Sequence, residues 1–166
     1  MIRTVLALCL MFSVMFTASS AWAADYSGTW VLDLKSSDSL EPLLKAQGAN
    51  MMMRRAADRL VVTQTITQDD NQVTVKNESS FRTNTDVLQV DGETRTVEGD
   101  RGEVQTRHSW EGEVLVSNMT MPMAKGQGTM NVRRILSEDG ATLTQRITVN
   151  TPAGETHVIN RVFKRQ

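Results

Sequence analysis

Apolar and polar residues alternate with period two along most of this 166-residue chain, and helical spacing replaces that pattern in one place only. Tyr26, Gly28, Trp30, Leu32 and Leu34 alternate with Ser27, Thr29, Val31, Asp33 and Lys35, which predicts a first strand with one largely apolar face. Further strands are predicted at 60–67, 72–78, 79–90, 93–98, 103–110, 113–123, 129–136, 141–150 and 155–165. Turn chemistry separates them: Asp69-Asp70-Asn71, Asp91-Gly92, Gly99-Asp100-Arg101-Gly102, Glu111-Gly112, Lys125-Gly126-Gln127-Gly128, Asp139-Gly140 and Pro152-Ala153-Gly154. Turns at such short, even intervals predict an antiparallel meander, closed into a barrel or packed as a sandwich.

The exception runs from Ser36 to Arg59. Ser36-Ser37-Asp38-Ser39 offers N-cap oxygens, Pro42 falls in a first turn where its missing N–H is no loss, and Gly48 supplies a stop. Asn50 then caps a second helix over 51–59. Leu40, Leu43 and Leu44, then Met52, Met53, Ala56, Ala57 and Leu60, recur at three- and four-residue steps, so each helix is expected to bury one apolar side against a β layer.

Residues 1–23 read as an export signal. Arg3 supplies the positive start, 5–16 is apolar, and Ala21-Trp22-Ala23 fits a small-x-small cleavage site. The apolar run is short for a membrane anchor, and Thr17, Ser19 and Ser20 follow it. The style of the signal suggests a bacterial chain bound for the periplasm, with 24–166 as a single mature domain. Cys9, the one cysteine, lies within the signal, and Leu8 before it does not suit lipidation. The mature part therefore has neither disulfides nor thiolate metal sites and needs an ordinary core. The formal net charge of −1 disfavours nucleic acid, whose partners carry a basic excess.

The order of several motifs resembles the fatty-acid-binding-protein family of lipocalin-like barrels over essentially the whole of 24–166. The motifs are Gly28-Thr29-Trp30, the helix pair with Lys45-Ala46-Gln47-Gly48, and Lys76-Asn77-Glu78-Ser79-Ser80-Phe81. Gly99-Asp100-Arg101, Trp110-Glu111-Gly112, Val132-Arg133-Arg134-Ile135 and Arg161-Val162-Phe163 follow in family order. The resemblance implies a mainly β fold: a ten-stranded antiparallel up-and-down β-barrel with a helix-turn-helix lid between strands 1 and 2. It further implies a non-catalytic monomer that binds, transports or sequesters a fatty acid or similar amphipathic small molecule. Two departures stand out. Family members are typically cytosolic, and the family's terminal Arg-x-Tyr is here Arg161-x-Phe163.

The resemblance places Arg133 and Arg161 inside the barrel, holding a ligand carboxylate. A guanidinium in a cavity needs an anion or several acceptors, and Asn131, Arg133 and Ile135 share one strand face, as do Ile159, Arg161 and Phe163. The opposite parity, Val132, Arg134 and Leu136, competes for the interior. Met53 and Phe81 fall near the expected portal, with Phe163, Met119 and Met121 lining the cavity, whereas Trp30 and Trp110 read as packing at the closed end. Lys45, Arg54, Arg55 and Arg59 give the lid a basic surface suited to transient contact with an anionic membrane, or simply a solvated helix face.

Two other readings stand beside this one. Met119, Met121 and Met123 alternate on one strand face, with Met51, Met52 and Met53 on the lid, and thioethers select soft ions such as Cu(I) or Ag(I). Flexible methionine walls around a lipid are the alternative account. A barrel acting through its outer surface, as an inhibitor or assembly partner, is the other. His108 and His157 form no zinc spacing, no cofactor motif is present, and no serine sits in a nucleophile elbow. Asn77-Glu78-Ser79 and Asn118-Met119-Thr120 match glycosylation sequons formally.

Overall fold

The computed structural model describes residues 24–166; the expected export signal lies outside the described residues. Ten strands are present: β1 (Gly28–Leu32), β2 (Thr63–Gln68), β3 (Gln72–Glu78), β4 (Thr83–Gln89), β5 (Thr94–Gly99), β6 (Gly102–Glu111), β7 (Val114–Met123), β8 (Gly126–Leu136), β9 (Thr142–Asn150) and β10 (Thr156–Arg165). Two helices, α1 (Glu41–Ala46) and α2 (Met51–Ala57), lie between β1 and β2.

All ten strands belong to one antiparallel sheet in the order β4-β3-β2-β1-β10-β9-β8-β7-β6-β5, so the sandwich alternative is excluded. The first strand pairs with the last, placing Trp30 opposite Arg165 and Leu32 opposite Phe163. A single sheet with one apolar face covers that face by curling on itself. The curl ends between β4 and β5, which are not hydrogen-bonded to each other. β5 is exposed on both faces, so the inside of the sheet opens to water along that slit.

Two sets of side chains fill the inner face. A floor cluster contains Tyr26, Trp30, Leu32, Ile66, Val73, Val75, Leu88, Leu115, Leu143 and Phe163, with Trp110 packed against it. Trp30 is fully buried, donates its indole N–H to the Tyr26 carbonyl at 2.9 Å, and carries the Arg165 guanidinium 4.2 Å above its ring. Tyr26 stacks on Trp110 with ring centroids 5.8 Å apart. A second cluster, toward the helices, contains Met123, Val132, Ile147, Val149 and Ile159, with Leu40, Leu43, Ala46, Met119, Met121 and Met130 around it.

The helices differ from expectation in one respect. Ser39 accepts the Glu41 amide at 2.9 Å, Asn50 accepts the Met53 amide at 2.9 Å, and Gly48 ends α1 at φ 77°, a left-handed conformation that favours glycine. α1 docks through Leu40, Leu43 and Ala46, and its Ala46 carbonyl accepts the Ala124 amide at 3.0 Å. The apolar side of α2, by contrast, is not buried: Met52 is 81% and Met53 59% exposed. α2 sits on the rim rather than on the sheet, tied back by Arg54, which reaches the Ala49 carbonyl at 2.8 Å and Glu41 at 3.4 Å.

Candidate functional site: a polar belt inside the barrel

Between the floor and the helix-side cluster, inner positions on successive strands carry polar side chains. On β7 Ser117 lies between Leu115 and Met119, and on β8 Arg134 lies between Leu136 and Val132. On β9 Gln145 lies between Leu143 and Ile147, and on β10 Arg161 lies between Phe163 and Ile159. His108 on β6, Gln64 on β2, Asn77 on β3 and Asp86 on β4 stand one inner step beyond floor residues and extend the belt. Period two keeps all of them on the inside.

Pairing puts three belt residues in one row. Arg161 is opposite Gln145, and Gln145 is opposite Arg134, so two arginines flank an amide on adjacent strands. Strand spacing of about 4.8 Å sets the steps of that row. The Gln145 amide donates across the lumen to Gln64 at 2.8 Å, Gln64 donates to Asn77 at 2.7 Å, and Asn77 donates to Asp86 at 3.3 Å. A one-way chain of amides ending on a carboxylate polarises along its length.

Arg134 is the least satisfied member. One Nη donates to the Ser117 hydroxyl at 3.2 Å, and its Nε is buried with no partner among the described residues. Burial pulls its pKa down to about 10, so the guanidinium stays charged at neutral pH. The Ser117 hydroxyl also lies 2.9 Å from His108 Nδ1. Burial, then the nearby positive charges of Arg134 and Arg95, lower His108 to about 4, which keeps its imidazole neutral. Arg161 donates to the Asp38 carbonyl at 2.8 Å, at the root of the helix segment, and its pKa is lowered by burial.

The structure corrects one of the two arginines expected inside. Arg133 points outward and pairs with Glu111 at 2.6 Å, because its neighbours Val132 and Arg134 take the inner parity of β8. Arg134 occupies the place expected of Arg133. Arg161 is inside. Phe163 is buried in the floor cluster, below the belt rather than facing open space. Met119 and Met121 line the helix-side layer. Phe81, 79% exposed, sits at the β3–β4 turn, and Met53 on the rim helix. Lys45, Arg55 and Arg59 are exposed, whereas Arg54 is half-buried and ties α1 to α2, so it leaves the basic outer face. The belt residues His108, Ser117, Gln64 and Gln145 were not singled out as a site from sequence. Their signal was present as polar residues at inner positions of otherwise alternating strands.

No family profile matches the chain. The curated sodium/calcium exchanger regulatory protein 1 of Doryteuthis pealeii is 28% identical over 96 residues, 58% of this chain and 71% of that protein. Among solved structures, the REP1-NXSQ fatty acid transporter superposes with a TM-score of 0.69 at 23% identity, covering 87% of this chain and 98% of the other. Lipid binding protein 8 of Caenorhabditis elegans gives a TM-score of 0.70 at 18% identity, over 85% and 95% of the two chains. Human cRBP IV gives 0.67 at 23% identity, over 86% and 99%. The chain has the fold of the fatty-acid-binding proteins. The expected ten-stranded meander with its helix pair is therefore right in architecture. Within that fold, the belt puts two cationic groups and several hydrogen-bond donors at one depth, beneath an apolar layer on the lid side.

Proposed function

We propose that the protein binds a small amphipathic anion inside the barrel, with its head at the belt and its apolar tail toward the helices. The single observation carrying this reading is Arg134, a half-buried guanidinium that faces the interior with one neutral acceptor and an enclosed Nε that has no partner among the described residues. An inward charge in that state is stabilised by an anion. Arg161, in the same row, is the second cation. Met119, Met121, Met123 and Met130 pack with aliphatic side chains, which supports methionines as adaptable walls. Apolar walls contribute about 0.8 kcal/mol per buried methylene of the tail. The role is binding and carriage rather than chemistry, in an exported protein, with a long-chain fatty acid or a similar lipid as cargo. Lys45, Arg55 and Arg59 beside the exposed Met51–Met53 tip would meet an anionic membrane during exchange.

The test is displacement of a fluorescent fatty acid from residues 24–166 of the wild type and of two variants. Arg134→Met is expected to weaken binding about 10- to 100-fold, the equivalent of roughly 1.5–3 kcal/mol for a hydrogen bond to a charge. Arg133→Met is expected to leave affinity within about twofold, as for a surface pair. Equal binding by wild type and Arg134→Met would remove the reading.

A further inference from the structure

The belt is richer than a carboxylate requires. Two arginines would suffice to hold one, yet the row between them carries Gln145, and Gln145 continues through Gln64 and Asn77 to Asp86. In that chain each amide N–H₂ uses one of its two hydrogens. Gln64 and Asn77 each use one of two lone pairs on oxygen, so every amide keeps a free valence. Gln64 and Gln145 are buried. An alkyl chain laid against them would strand those valences away from water, at a cost near that of a lost hydrogen bond each.

On the β7–β10 side the polar groups are also confined to one depth. On β7, β8, β9 and β10 the next inner residue toward the helices is apolar: Met119, Val132, Ile147 and Ile159. The next toward the floor is apolar too: Leu115, Leu136, Leu143 and Phe163. Along these four strands a polar group far down an acyl tail would meet hydrocarbon, whereas one beside the carboxylate would meet the amides. Gln145, in register with both arginines, is placed to take it.

Building on the anion-binding reading above, we propose that the preferred ligand is an acyl chain whose polar end carries a carboxylate together with an adjacent amide or hydroxyl. Arg134 and Arg161 hold the carboxylate, and Gln145 with Gln64 reads the neighbouring group. N-acyl amino acids and β-hydroxy acids both have this chemistry.

The experiment is calorimetric titration of residues 24–166 with palmitate, N-palmitoylglycine and β-hydroxypalmitate. At least one derivative is expected to bind about 10-fold or more tighter than palmitate, and whichever does so identifies amide or hydroxyl as the group read. Gln145→Leu and Gln64→Leu are expected to bring that ratio to within about twofold. If either variant fails to fold by near-ultraviolet circular dichroism, Asn77→Leu, at the less buried end of the chain, reads the same ratio. Palmitate binding as tightly as both derivatives would overturn this proposal and leave the anion-binding reading intact. Failure of all three to bind the folded wild type would overturn both.

Discussion

At the closed end of the barrel every large side chain has its partner, whereas at the helix end apolar side chains stand in water. Trp30 has a hydrogen bond, a guanidinium over its face and aliphatic neighbours, and Tyr26 reaches the Arg134 and Glu113 carbonyls at 2.6 and 2.8 Å. Met51, Met52 and Met53 have none of this. α2 is seven residues long, too short to be stable without packing, and it buries no residue fully. Stability is therefore concentrated in the floor, and the helix end is the part free to change. That division leaves a rigid base, the polar belt just above it, and a weakly held helix end.

The comparison can be broken by mutation. Trp30→Ala is expected to cost about 3–5 kcal/mol, read by chemical denaturation, as for large aromatic truncations in a packed core. A much smaller loss would mean that the floor is not the stable part.

The belt is expected to sense acid. His108 is held near 4 against an ordinary value of 6.5, so between those values the unfolded chain binds the extra proton. Its contribution to stability is complete above about 6.5 and is lost as pH falls toward 4, by up to about 3 kcal/mol. Thermal melts across that window should show the slope, and His108→Gln should flatten it. The surface carboxylates of Asp91 and Asp100, lowered by Arg95 and Arg82 respectively, lose their stabilising contribution only below about pH 5, so the slope above that reads His108.

Arg134→Met is expected to leave stability unchanged or raise it by about 1 kcal/mol, since an apolar replacement for a buried charge is often favourable. Weaker ligand binding with equal or higher stability would separate anchor from scaffold. At the rim, Met52→Ser is expected to shift stability by less than about 0.5 kcal/mol. A larger loss would show that α2 is packed after all.

The strands were legible because alternation and turn chemistry agree at every step. The early end of β1 was less so, because the Asp33 carboxylate accepts the Lys35 amide at 3.0 Å and the Ser36 hydroxyl at 2.8 Å, turning the chain before Leu34 completes the pattern. Likewise Ser79 accepts the Arg82 amide at 3.2 Å and donates to the Arg82 carbonyl at 3.0 Å, making a turn of what reads as the start of the fourth strand.

The site was half legible. Arg161 falls between Ile159 and Phe163, and its inward direction follows from alternation. Arg133 and Arg134 are adjacent, so a one-residue change of register exchanges inside for outside; Arg134 shares its face with Val132 and Leu136, Arg133 with Asn131 and Ile135. Ladder pairing decides it: Arg134 lies opposite Leu115 and Gln145, both buried.

The sequence by itself determined the strand count, the turns, the place of the helix pair and one inward arginine, because these depend on neighbours within a few residues. Only the tertiary structure decided that the sheet curls with a slit between β4 and β5, that Arg134 faces inward and Arg133 outward, and that Gln145 reaches Gln64 across the lumen. Those contacts join residues up to 81 positions apart in the chain, and no local pattern encodes which distant strands a curled sheet brings face to face.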